Sequence, residues 1–97
     1  MELLGRYRLN AFAKMFPRCR EPFRAFACEV QEATWTGHVE IRDRYRSAQV
    51  GANGHVVFGF VEGLYLVETQ IRFDKGLMTV ERAWQKAPKT VRGSSLN

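Results

Sequence analysis

The chain has 97 residues, 45% of them apolar and 12% aromatic. That is enough for one small domain with its own core, and it excludes disorder as the starting assumption. Fifteen Lys and Arg against ten Asp and Glu leave a net charge of +5, which favours an anionic partner: nucleic acid, an acidic protein or a membrane surface. No apolar run approaches the roughly 20 residues that cross a bilayer. The start, Met1-Glu2-Leu3-Leu4-Gly5-Arg6, lacks the basic and apolar regions of a signal peptide. A cytoplasmic protein without membrane attachment is expected.

Glu2–Leu9 alternates loosely and predicts a first strand. Asn10 is a suitable N-cap for a short helix to about Phe16, with Phe12, Met15 and Phe16 on its apolar side. Pro17 and the basic loop Arg18-Cys19-Arg20 end it. Glu21-Pro22 opens the clearest helix, since proline fits the first turn, where its missing N–H would be unpaired anyway. Phe23, Phe26, Ala27, Val30 and Ala33 recur at helical spacing and form one apolar stripe. Cys28 reads as a small buried hydrophobe on this helix, and Cys19 as a loop thiol whose neighbouring cations favour the thiolate. These two cysteines are too few for a disulfide framework, and with His38 and His55 they do not read as a zinc site. Trp35 is expected to pack nearby, and Thr36-Gly37 breaks the segment. His38–Tyr45 predicts a short third helix or a structured loop anchored by Val39, Ile41 and Tyr45.

From Ser47 the hydrophobic period changes to two. Gln49-Val50, a turn at Gly51–Gly54, His55–Val61, a turn at Glu62-Gly63, Leu64–Phe73, a turn at Asp74–Gly76 and Leu77–Trp84 read as successive strands. Turns this short force antiparallel neighbours, hence a meander. Two helices feeding it give an α+β sandwich with one sheet face covered and one open. Residues 1–86 form the predicted domain. Residues 87–97 form a basic tail, with Pro88 and Gly93-Ser94-Ser95 arguing against further regular structure.

Alternation places Tyr65, Val67, Thr69, Ile71 and Phe73 toward the helices and Leu66, Glu68, Gln70 and Arg72 on the open face. On the last strand Met78, Val80 and Trp84 are expected inward and Thr79 and Glu81 outward, with Arg82 breaking the pattern. Arg44 and Arg46 flank Tyr45, so two guanidinium groups can grip phosphates while the ring stacks on a base.

Ala33-Thr34-Trp35, Tyr45-Arg46-Ser47-Ala48, Asn53-Gly54, Val56-Val57-Phe58 and Tyr65 stand at spacings that resemble the HigB-type toxins of bacterial toxin–antitoxin pairs, within the RelE-like superfamily. The resemblance runs ungapped from about Ala33 to Phe73. It implies a RelE-like fold, an N-terminal strand and two helices on an antiparallel meander of three to four strands. It also implies an mRNA interferase, a metal-independent endoribonuclease that acts on the ribosome, partnered by a cognate antitoxin and using no cofactor. The chemistry needs a base at the 2′-hydroxyl, cations on the phosphate and an acid at the leaving oxygen. The chain departs from the family pattern at Leu66 and Glu81, where arginine is usual, at Gln70, where lysine is common, and at Lys86, where the family carries histidine.

Arg72, Lys86 and His55 are therefore the candidate catalytic groups, with His38 a weaker one for proton transfer. Arg44, Tyr45, Arg46, Arg82 and Lys89 are the candidate RNA contacts. Two other readings stay open: a catalytically degenerate relative that binds only the antitoxin, and an unrelated small α+β binding module from a mobile element.

Overall fold

The change of period at Ser47 divides the molecule into a helical layer and a sheet. The computed structural model describes residues 1–87; the predicted tail from residue 88 onward, including Lys89, lies outside the described residues. The elements run β1 (Glu2–Leu4), α1 (Arg6–Met15), α2 (Arg20–Glu32), α3 (His38–Arg44), β2 (Gln49–Val50), β3 (His55–Phe60), β4 (Tyr65–Arg72) and β5 (Leu77–Gln85). The protein is an α+β domain.

The N-terminal strand is shorter than its alternation suggests. It stops at Leu4, and Gly5, at φ 80°, turns the chain straight into α1. A side chain at Gly5 would place its Cβ 2.8 Å from the Val80 carbonyl oxygen, so glycine is needed both for the angle and for the close approach. Leu9 and Ala13, four residues apart on α1, are both buried. Their helical spacing prevails over the weak period-two pattern. In α2 the predicted stripe is used through Val30: Phe23, Phe26, Ala27 and Val30 are buried, while Ala33 is the extended residue that ends the helix. His38–Arg44 is a helix, and Glu40 secures its start by accepting from the Thr36 backbone N–H (2.7 Å), the Thr36 hydroxyl (2.9 Å) and the Gly37 N–H (3.2 Å). Ile41 anchors it, whereas Val39 is 72% exposed.

The sheet has five strands in the order β1-β5-β4-β3-β2. Strands β2 to β5 are antiparallel neighbours in chain order, but β1 pairs in parallel with β5, so the sheet is mixed and is not a plain meander. A parallel pair needs a long crossover, and the helical half of the chain supplies it.

Both layers meet at Phe26. Its ring packs on Phe58, Phe60 and Tyr45, with centroids at 4.9, 5.2 and 5.8 Å. Val56, Phe58, Val67, Thr69, Met78 and Val80 are fully buried beneath the helices. Among the described residues the one buried polar side chain of this core, Thr69, donates its hydroxyl to the Val56 carbonyl at 2.8 Å.

Two further expectations are corrected. Cys19 is fully buried and Cys28 is exposed, the reverse of the sequence reading. Cys28 follows Ala27 on the far side of the α2 stripe, and the turn Pro17–Cys19 folds its thiol inward, where desolvation raises its pKa against the opposing effect of Arg18. On β5, Glu68 pairs with Arg82 and Thr69 with Val80, leaving Glu81 as an extra residue in a β-bulge. The phase reverses there, so Arg82 and Trp84 face outward with Leu66 and Glu68, and Ala83 turns inward opposite Val67.

Truncating Phe26 to alanine removes the contact shared by both layers and should cost about 3–5 kcal/mol. Cys28→Ala, at an exposed site, should stay within about 0.5 kcal/mol of wild type. Urea denaturation of the two variants checks this contrast.

Candidate functional site

The face of the sheet away from the helices carries a cluster built on Glu68. One carboxylate oxygen accepts from Arg82 Nε at 2.6 Å, and the other lies 2.6 Å from His55 Nε2. Arg82 stands directly opposite Glu68 because of the bulge, while His55, opposite Gln70, reaches Glu68 diagonally from β3. The Arg82 guanidinium also lies 4.2 Å from the centre of the Trp84 ring, a cation–π contact that joins a flat apolar surface to the charges.

Local backbone geometry holds His55 in place. The turn Ala52–Gly54 leads into β3, with Asn53 at φ 57° and Gly54 at φ 82°. A Cβ on Gly54 would sit 2.1 Å from the Ile71 carbonyl oxygen, so only glycine lets this turn press against β4. The Gln70 side-chain amide donates to the Asn53 carbonyl and ties the turn to the strand.

An ionised carboxylate only accepts hydrogen bonds, so His55 presents Nε2–H to Glu68, and Nδ1 is the ring nitrogen outside this bond. Nδ1 lies beside Gly51, where an added Cβ would stand 3.2 Å from it. A side chain at Gly51 would crowd Nδ1, which lies close to the glycine backbone. Hydrogen bonds from Arg82 and then His55 hold the Glu68 carboxyl below its ordinary pKa, so it is ionised at neutral pH. The result is an oriented imidazole, a fixed carboxylate, a guanidinium and an indole on a face that no helix among the described residues covers. Their side chains remain open to solvent: 39% for His55, 24% for Glu68 and 64% for Arg82.

Of the residues singled out from sequence, His55 and Arg82 are brought together. Arg72 lies on the same face two residues beyond Gln70, with a 3.4 Å contact to Asp74. Lys86 does not join them. Its backbone N–H bonds the Leu64 carbonyl at 2.8 Å, and Leu64 is four residues, or about 13 Å of strand, from Glu68. It lines a separate cleft with Arg18 and Glu62. Tyr45 is on the helical side. Its ring packs against Phe26, Phe58 and Trp35, and its hydroxyl donates to Glu29 at 2.6 Å. Burial, followed by the Glu29 hydrogen bond, raises its pKa. Arg44 is paired with the same Glu29, and Arg46 is exposed. His38 packs edge-on against Phe73, and its Nδ1 is buried without a hydrogen-bond partner.

The bridging role of Glu68 and the outward position of Trp84 were missed. Alternation alone puts Glu68 on the open face, but its link to Arg82 depends on the bulge. Gly51 and Gly54 around Asn53 were the available signal that β3 starts from a tight turn.

No protein-family model and no curated protein matches this sequence.

The depressed carboxyl of Glu68 stabilises the fold above the unfolded-chain value, and that contribution is lost as pH falls through it toward the folded value. The difference in urea midpoint between wild type and Glu68→Gln should be largest near neutral pH and shrink as the pH falls into the acid range. A pH-independent difference would mean that Glu68 acts through packing alone.

Proposed function

We propose that this protein is a RelE-like, HigB-type toxin whose open sheet face binds single-stranded RNA and cleaves it without metal. The observation that carries this reading is the His55–Glu68–Arg82 cluster beside Trp84 on an uncovered face of a chain with net charge +5. Trp84 offers a base a stacking surface, and Arg82 and Arg72 meet phosphates.

In the proposed reaction His55 Nδ1 takes the proton of the 2′-hydroxyl while Glu68 fixes the ring. The 2′-oxygen attacks the adjacent phosphorus, and Arg82 compensates the growing charge on the phosphoryl oxygens. The bond from phosphorus to the 5′-oxygen breaks, and solvent protonates the leaving oxygen. The products are a 2′,3′-cyclic phosphate and a 5′-hydroxyl. Without a positioned acid for that last step, turnover is slow and toxicity on expression weak. The cognate antitoxin and the ribosome are the partners this reading implies.

One observation favours a second reading, a degenerate relative that only binds its antitoxin. Tyr7 and Met15 on α1 are 64% and 74% exposed, and they flank an apolar cleft of about 400 Å³ with Phe12 and Ala83.

Two measurements test the proposal. Binding to an RNA oligomer should weaken with salt at a slope of about −0.7 in log affinity per phosphate contact, and Arg82→Glu should lower both slope and affinity. Cleavage during translation should fall about a hundredfold in His55→Ala, with cyclic-phosphate ends in the wild-type products. Wild-type cleavage that survives His55→Ala would remove His55 from the chemistry. No cleavage at all, with tight antitoxin binding lost in Tyr7→Glu, would favour the second reading.

A further inference from the structure

The helical layer carries a second concentration of charge, on the side of the molecule opposite His55. Between α1 and α2 lies a cleft of about 310 Å³ lined by Arg6, Asn10, Lys14, Arg20 and Arg24, with Phe23 at its base. Arg6, Asn10 and Lys14 recur every four residues along α1, so they form one polar row about 12 Å long. Arg20 and Arg24 form the facing row on α2. The two rows make opposed cationic walls. The neighbouring carboxylate, Glu21, makes only a loose 3.5 Å contact with Arg24. Phe23 is 3% exposed, so the base of the cleft offers no ring face on which a nucleobase could stack.

A ligand that answers this geometry is a linear array of closely spaced anions that needs no stacking partner. We infer that the α1–α2 cleft is a binding site for a polyphosphate chain. Arg6, Lys14, Arg20 and Arg24 clamp it from two sides, and the Asn10 amide donates to a phosphoryl oxygen. Two sources share this chemistry: free inorganic polyphosphate and the phosphate tail of a nucleotide. The site is independent of the RNA-cleaving face, because no side chain belongs to both.

The test is isothermal titration of the full chain, at matched ionic strength, with tripolyphosphate, a longer inorganic polyphosphate, adenosine triphosphate and an RNA homopolymer. Tripolyphosphate or the longer chain should bind saturably where sulfate does not and should raise the unfolding temperature. Tighter binding of the inorganic chains identifies a free polyphosphate site, and tighter binding of adenosine triphosphate identifies a nucleotide tail. Lys14→Glu with Arg20→Glu should weaken binding about tenfold or more, while Arg42→Glu on α3 should leave it unchanged. Equal loss in Arg42→Glu would reduce the effect to net charge and overturn the site. Binding of RNA alone, lost in the double variant, would also overturn it. RNA cleavage measured in the double variant keeps this result separate from that of the sheet face.

Discussion

Strand β4 carries both halves of the molecule, and the alternation of its side chains is the constraint everything else obeys. One row, Tyr65, Val67, Thr69 and Ile71, closes the core beneath the helices. The other row, Leu66, Glu68, Gln70 and Arg72, supplies the middle of the open face. The two rows are not separable, because a strand displaced by one residue exchanges them completely. Packing energy on the covered side therefore fixes the position of Glu68 on the uncovered side. The buried Thr69 hydroxyl, bonded across to Val56, adds a polar check on the same register.

Much of this was legible in the sequence because it rests on periodicity and punctuation. The α2 stripe, the change of period at Ser47, the turn positions and the two faces of β4 all follow from residue spacing. The features that escaped are those set by contacts distant in sequence. β1 seeks a parallel edge some 75 residues away, Glu2 opposite Leu77, and no local pattern encodes that choice. Leu9 looks the same in a short alternating run and in a helix until α2 and β5 are there to bury it. Cys19 and Cys28 exchanged roles because a turn, rather than a helix face, decided which thiol lost its solvent. At the site, His55 and Arg82 were visible as separate candidates, but the carboxylate between them had no signature of its own.

The two faces of the domain divide their charges differently. On the sheet face the cations are few and individually engaged: Arg82 with Glu68 and Trp84, Arg72 with Asp74. Such pairs fix side-chain direction more than they add stability, since exposed ion pairs contribute little. Between α1 and α2 the cations face one another across a cleft, where Glu21 touches Arg24 alone and solvent or a bound anion must relieve the rest of the repulsion. One face is arranged for direction and the other for field strength.

The bulge at Glu81 also bears on how this strand is compared with others. A sequence aligned without gaps through β5 assigns to each residue after Val80 the face belonging to its neighbour. Glu81 then appears to occupy the outward position, although the side chain actually presented beside Glu68 is that of Arg82.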